Sequence, residues 1–508
     1  MLKDKNKQLS IYTILYNRIP ENHMLKLIND AVDFGPIVKI LEKHYNKYYG
    51  RPAKDPEIMI KLLILKYLYG LSDERVIEES LVNLAYMWFL GISPDEELPD
   101  PSLLTKFRKY KLQEITLDEI IIETVRQCVE KGIIKDIGIS IDSTHTEANT
   151  FKLTPERLMK KLAKKIFKKL EEETGNIPEI INQKIPEYKK IKDYKEAKKV
   201  MEKYLKEEIE KVENIVNSKD HPETYRTMEN AKEILKDPKF MEQRGIRSIV
   251  DQDARVGHKS KTNKFFGYKT EYMITTKERI ITAVTVKDGA YVDGTNFKSL
   301  MELTEQTGLK IEEVYGDKAY FKKEILDKIS EIEAHAYIPV SEMAYKINEE
   351  LYSYNKDSDE WFCSEGNKTF KKTRRKKKDD KDSYKYHFEK DKCRNCSKRI
   401  ECKLGRAVGK ILEVGINTSE FYEYSQEQKT DLFKEKYKNR SCQEWKNGEM
   451  KNFHGLNRAK GYGLSSMSTQ AKLTALAVNL KRIASILSSK KAKFSDVFLL
   501  KLRFTENF

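Results

Sequence analysis

Three carboxylates in this chain have the types and placement for metal-assisted chemistry on a phosphodiester. Asp142 closes the β-branched run at 133–142 (IIKDIGISID), and Asp317 stands just past the run at 311–316 (IEEVYG). An aspartate after a strand is commonly a turn or cap residue, so either one alone is as readily structural as functional. Strands that neighbour one another in a sheet would bring the two side chains together despite their distance in sequence. The third acid is Glu444, in YKNRSCQEWKNGEMK from Tyr437 to Lys451. At about 3.6 residues per turn, Tyr437, Arg440, Glu444 and Lys451 fall on one helical face. A phenol, a guanidinium, a carboxylate and an ammonium make a poor core stripe and a good face for a metal-bound phosphodiester. Mg²⁺ prefers a few carboxylates completed by water and substrate phosphate. Glu435 and Glu449 are rivals for the third acid, but neither has the Tyr/Arg/Lys stripe in register.

The elements that must position these residues follow from periodicity. FGYKTEYMIT (266–275) and RIITAVTVKDG (279–289) predict a hairpin, and AHAYIPV (334–340) a further strand. Helices are predicted at 293–308 and through Ile325 and Ile329. With the runs ending at Asp142 and near Asp317, this succession predicts an α/β mixed sheet flanked by helices, with chemistry at the carboxyl ends of its strands. The segment 421–447 reads as helical, the loop HGLNRAKGYG (454–463) follows, and a last helix spans 466–487.

Upstream, Ile58, Leu62, Leu65 and Leu68 recur at helical spacing before Gly70, and Val76, Ile77, Leu81, Leu84 and Trp88 after it. Gly70 suits a left-handed stop and Ser72 a cap. This helix-turn-helix outline is either a packing hairpin or a DNA-contacting one. A further helix opens at Pro101, with Leu103, Leu104 and Phe107 inward and Lys106, Arg108 and Lys109 outward. The expected organisation is an N-terminal all-α, DNA-binding domain (1–130), a catalytic domain (131–340) with a Lys/Glu-rich helical insertion (151–245), a Cys-rich insertion (341–405), and a C-terminal part of the catalytic domain (406–508) carrying the third acid.

The formal charge of +16 in 508 residues, 35% of them charged, points to a polyanionic partner, nucleic acid first. No run approaches the roughly 18 uninterrupted apolar residues of a membrane span, and the N-terminus lacks a signal-peptide pattern. A cytoplasmic protein is expected. No phosphate-cradling or dinucleotide glycine motif appears, so no nucleotide cofactor is expected.

The string Y-x2-R-x3-E-x6-K, preceded by an Asp after a first strand and a second Asp in the GDKAY turn, resembles the DDE transposases of bacterial insertion sequences. The likeness extends to the N-terminal helical module, to Ser248–Tyr272 and to the NLKRI stretch of the last helix. The long insertion after the first strand and the Cys-bearing segment stretch the family's core pattern. The resemblance implies a ribonuclease-H-like catalytic domain that cleaves the ends of an insertion sequence and transfers the 3′-hydroxyl into target DNA. It implies two Mg²⁺ (or Mn²⁺) ions, with Asp142 bridging both and Asp317 and Glu444 each completing one site. Arg440 and Lys451 are then phosphate contacts, and Tyr437 positions DNA. The implied partners are terminal inverted repeats, target DNA and at least a second copy of the chain, in a nucleoid-associated setting. A nuclease without joining activity and a DNA-binding protein that has lost catalysis are the alternatives.

Six cysteines are too few for a disulfide scaffold. Cys363, Cys393, Cys396 and Cys402 could supply four thiolates to a structural zinc, with His387 as a substitute ligand, or remain reduced thiols. Cys128 and Cys442 read as packing residues. The run KKTRRKKK (371–378) reads as an unstructured basic segment able to touch DNA backbone. Arg255, His258 and Lys259 precede the hairpin and receive no assignment.

Overall fold

The computed structural model describes residues 11–46, 53–241, 245–260, 262–376, 382–400, 402 and 409–505. The N-terminal region is helical throughout: α1 (Met24–Ala31), α2 (Phe34–Glu42), α3 (Pro56–Tyr69), α4 (Asp73–Ser80), α5 (Leu84–Leu90), α6 (Pro101–Tyr110) and α7 (Glu114–Glu130). Gly70 ends α3 at φ 69°, and the Ser72 hydroxyl caps α4 by accepting from the Arg75 amide. The apolar series Val76 to Trp88 is not one helix. Asn83 interrupts it, accepting from the amides of Ala85 and Tyr86 to start α5, and Leu81 and Val82 are left exposed.

The α3–α4 hairpin is packed into the N-terminal core. Its first helix is buried on nearly every side, and the outward face of its second carries Glu74 and Glu78, with Arg75 tied to Glu78 and Glu79. Arg108, expected outward, instead turns in to chelate Asp73, with Nη1 to Oδ1 at 2.8 Å and Nη2 to Oδ2 at 2.5 Å, while Lys66 reaches Oδ1 at 2.6 Å.

The central region is a mixed sheet of β1 (Gly138–Glu147), β2 (Arg255–His258), β3 (Lys264–Thr275), β4 (Ile281–Asp288), β5 (Glu313–Tyr315) and β6 (His335–Tyr337). Its order is β2-β3-β1-β5-β6, with β4 also paired to β3. The β1–β3 and β3–β4 pairs are antiparallel; β1–β5 and β5–β6 are parallel. The hairpin expected at 266–289 is β3–β4. The expectation that the first strand stops at Asp142 fails. β1 continues to Glu147 because β3 pairs with it all the way to Gly267, and because Leu456 to Ala459 dock on its end through Thr146 and Glu147.

Between β1 and β2 the insertion forms α8 (Pro155–Thr174), α9 (Tyr194–Glu213), α10 (Pro222–Lys236) and the short α11 (Pro238–Met241), closed around their own core of Leu158, Leu162, Met201, Leu205 and Met228. The helices α12 (Phe297–Glu305) and α13 (Lys323–Glu331) cover one face of the sheet through Ile139, Ile141 and Met273. Strands β7 (Tyr352–Asn355), β8 (Glu360–Cys363), β9 (Thr369–Arg375), β10 (Ser383–Phe388) and β11 (Ile411–Gly415), with α14 (Lys390–Arg394), build a small module on Trp361, Tyr386 and Phe388. The basic run is not unstructured as far as it is described. Residues 371–375 belong to β9, where Lys372, Arg374 and Arg375 pair with Asp359, Asp382 and Glu413; Lys377 and Lys378 lie outside the described residues.

The segment expected as one helix at 421–447 is broken into α15 (Thr418–Glu427), α16 (Asp431–Tyr437), a 3-10 turn (Lys438–Ser441) and α17 (Cys442–Asn452). The last helix, α18 (Leu464–Thr505), is longer than expected and lies across the second sheet face. It shares one core with the N-terminal helices, Tyr272, Ile274 and Val284. Buried Asn479 clamps the start of β4, donating to the Ile281 carbonyl and accepting from the Ile281 amide at 2.7 Å each.

Candidate active site

Register explains the meeting of the two aspartates. Ser140 of β1 stands opposite Tyr315 of β5, so Asp142 and Asp317 each follow two residues later on parallel neighbours, where strands lie about 4.8 Å apart. Ile139 and Ile141 point into the α12–α13 core, which by strand alternation sends Ser140 and Asp142 to the opposite face, under α17. Asp317 also caps the turn after β5, accepting from the Ala319 amide at 2.8 Å. The bland reading of this aspartate, as a turn cap, is therefore correct as well.

Asp142 is held by α17 and the turn before it. Asn447 Nδ2 donates to its Oδ2 at 3.4 Å, and Arg440 Nη2 lies 3.9 Å from the same oxygen. Asn447 is itself oriented by Tyr272, whose hydroxyl donates to its Oδ1 at 2.8 Å. Burial pushes the Asp142 carboxyl up to about 6; Arg440 opposes this, and the charges of Asp317 and Asp293 add to it. Burial likewise raises the Tyr437 phenol, with Arg440 opposing and Asp317 and Asp142 adding. Tyr437, Arg440, Asp142 and Asp317 thus share one electrostatic environment. Arg440 Nε, Ser140 Oγ and Gln443 Oε1 are buried there without a hydrogen-bond partner. An orphaned guanidinium N–H beside acids is a donor suited to a phosphate oxygen.

Lys451 lies further along α17, with its Nζ 3.3 Å from His145 Nδ1. Burial and the nearby Lys259 lower this ammonium to about 8. Burial, then Lys451, Lys259 and Lys269, lower His145 to about 4, so its ring is neutral at physiological pH. Lys259, unassigned from sequence, is thereby placed beside Lys451.

Glu444 does not join the pair. On α17 it is Asn447 that contacts Asp142, and Glu444 is left exposed, on the rim of a separate cavity. Among the described residues, no three His, Cys, Asp or Glu side chains are gathered tightly enough to hold a metal as they stand. The chemistry of the aspartates nonetheless suits a hard cation. Asp142 is buried among like charges that raise its proton affinity, and a cation there removes that penalty.

Three site residues escaped the sequence reading. Asp293, in the loop after β4, is close enough to raise Asp142 and pairs with Lys269 at 2.9 Å. Asn447 sits on the same helical face as Arg440 and Lys451, a position the spacing could have disclosed. Glu271 is buried beneath the site, accepting from Tyr291, Tyr320 and the Gly294 amide; a lone acid inside an apolar strand was its only signal.

The four cysteines of the small module line one cavity of about 510 Å³, and Asn367 Nδ2 donates to Cys393 Sγ at 3.3 Å. His387 instead faces Thr373. Cys128 and Cys442 are buried packing residues.

A mixed α/β chain thus sets Asp142, within β1, beside Asp317, just past β5, under a 3-10 turn bearing Arg440 and a helix bearing Lys451. A family described as Transposase domain (DUF772) matches residues 13–110, and one described as Transposase DDE domain matches residues 362–484. No solved structure matches the chain. Both matches are to transposase families, and they support a DDE transposase of an insertion-sequence type. The second match contains Tyr437, Arg440, Glu444 and Lys451 as well as the four module cysteines, whereas Asp142 and Asp317 lie between the two matched segments. DNA is the partner that this family implies. Among the described residues no helix is long and apolar enough to cross a membrane.

Proposed function

We propose that the chain cleaves phosphodiesters at the ends of its own insertion sequence and joins the freed 3′-hydroxyl to target DNA. The observation that carries this reading is Asp142 on β1 facing Asp317, just past the end of the adjacent parallel strand β5, with Arg440 beside them. The order β4-β3-β1-β5-β6, antiparallel then parallel, supports a ribonuclease-H-like catalytic unit. Asp142 and Asp317 are the residues that would hold divalent metal, with Glu444 as third ligand in the DNA-bound state. Mg²⁺ ions so held activate an attacking oxygen and stabilise the leaving one. The protein's own part is positional. Arg440 and Lys451 hold backbone phosphate, Tyr437 orients the strand, and Asn447 and Tyr272 fix Asp142. Lys106 and Lys109, exposed on α6, are candidate contacts of the N-terminal domain with the inverted repeats. Pairing two element ends requires at least two copies of the chain, acting in the nucleoid.

The test is a cleavage and strand-transfer assay with labelled element ends in Mg²⁺. Cleavage followed by joining is expected, with Glu444→Gln losing about 10²-fold or more of both, a few kcal/mol of the several that metal catalysis supplies. Full activity of Glu444→Gln removes it from the ligand set, cleavage without joining leaves a nuclease, and binding without cleavage leaves a DNA-binding protein.

The shared cavity favours a second assignment, one structural zinc on Cys363, Cys393, Cys396 and Cys402. Closing on a metal requires the thiols to draw in from the cavity wall. About one equivalent of zinc is expected in protein purified without added metal, falling in Cys393→Ser; zinc well below one equivalent rejects the site.

A further inference from the structure

The far side of α17 presents a cavity of about 610 Å³ where this helix, α18 and the β3–β4 turn meet. Trp445 and Phe453 stand on it 68% and 72% exposed. Two large aromatic rings left in water on one cavity offer flat faces for stacking. Cations accompany both rings. The Arg279 guanidinium lies 5.4 Å from the Trp445 ring centre, and Lys481 Nζ lies 6.0 Å from that of Phe453. Arg279 also lowers the Arg482 guanidinium, after the larger effect of burial, so two like charges are held near one another on the wall. Glu449, a half-buried acid of this wall, is already engaged by Lys446 at 2.8 Å and Lys481 at 3.2 Å. The backbone at Arg279 adds a further sign. It takes φ 60°, a left-handed conformation unfavourable for a non-glycine residue, and such strain clusters at functional sites.

Paired guanidiniums suit a phosphate, and exposed rings beside them suit the face of a base. We propose that this cavity binds unpaired nucleotides of the DNA substrate, with a base stacked on Trp445 and backbone phosphate between Arg279 and Arg482. The inference rests on the transposase reading for its substrate. One helix then serves two DNA segments: its inner face meets the strand at Asp142, and its outer face, roughly 10 Å away across the helix, receives the strand that has left the duplex. Glu444 lies on the rim between them. Arg482 Nε already donates to the Glu278 carbonyl at 2.8 Å, but a basic groove with aromatic platforms favours nucleic acid over an apolar protein segment, which would leave the positive charge of Arg279 and Arg482 uncompensated.

The test is titration of the full chain with an oligothymidylate of about eight nucleotides, following tryptophan emission, with a duplex of equal length alongside. Of the three tryptophans, Trp361 is buried and Trp88 half-buried, so quenching by the single strand reports mainly Trp445. The expected result is salt-dependent binding that weakens about 5- to 100-fold in Trp445→Ala, is largely restored in Trp445→Phe, and also weakens in Arg279→Gly, while duplex binding is unchanged. Equal binding of the oligonucleotide by Trp445→Ala and the parent chain overturns the proposal. So does loss of self-association in Trp445→Ala with single-strand binding intact, which makes the face a protein interface. Failure of metal-dependent cleavage with Trp445-dependent binding intact overturns the transposase reading alone.

Discussion

Asp142→Asn is expected to abolish metal-dependent strand cleavage and joining, by about 10³-fold or more, and at the same time to stabilise the metal-free chain at neutral pH. Both effects have one cause. With its proton affinity raised from the ordinary 3.8 to about 6, the folded carboxyl binds a proton over a range in which the unfolded one has lost it. Stability of the parent chain therefore falls as pH rises from about 4 to 6, and stays reduced above that. Two units correspond to at most roughly 3 kcal/mol, and loss of the attraction to Arg440 takes some of this back. A gain of about 1–3 kcal/mol is expected for the variant above pH 6, and none near pH 4. Unfolding followed in EDTA across this range measures it. Added Mg²⁺ should then stabilise the parent chain above pH 6 and leave Asp142→Asn unmoved. A variant that cleaves normally, or that is less stable at pH 7 than at pH 4 relative to the parent, contradicts the assignment.

The second large effect lies far from the active site, in the N-terminal helices. Asp73→Ala is expected to destabilise that region by about 3–5 kcal/mol, the cost of leaving buried charges without their partner. Side-chain exposures of 14% for Asp73, 10% for Lys66 and 18% for Arg108 leave little water to replace the carboxylate. Burial alone pushes the Asp73 carboxyl up, yet the hydrogen bonds from Arg108 and Lys66 outweigh it and hold it down to about 2. Its contribution is thus present above pH 4 and is lost as pH falls toward 2. The difference between parent and variant should shrink over that same range. Protease cleavage between α3 and α6, measured against pH, reads the effect locally, and adding Arg108→Leu should recover part of the loss because one orphaned charge is removed. Unchanged protease resistance in Asp73→Ala at pH 7 would refute this account.

The two aspartates were legible because their setting is local. A β-branched run makes a strand, and an acid standing in or just past it is found by eye, although β1 runs on beyond Asp142. The hairpin at 266–289, the helical insertion and the final helix were legible for the same reason, since periods of about 2 and 3.6 residues are written into neighbouring positions. The Tyr/Arg/Glu/Lys stripe was legible as residue types but not as one continuous helix. Nothing in YKNRSCQ announces the 3-10 turn that separates Tyr437 from α17, nor that Asn447 contacts Asp142. Asn83 broke a helix in the same quiet way, by capping the next one.

By itself the sequence determined the chemical inventory of this protein: which acids, which cations, their order along the chain, and the family that this order defines. Tertiary structure decided the rest. The parallel register of β1 and β5 set Asp142 beside Asp317, and only packing of α17 on β1 raised the Asp142 carboxyl to about 6. Packing also enlisted Asp293 and turned Arg108 from a surface cation into the partner of Asp73. The physical reason is the same in each case. Burial and Coulomb interaction depend on distances between residues far apart in the chain, and those distances exist only after the chain has folded.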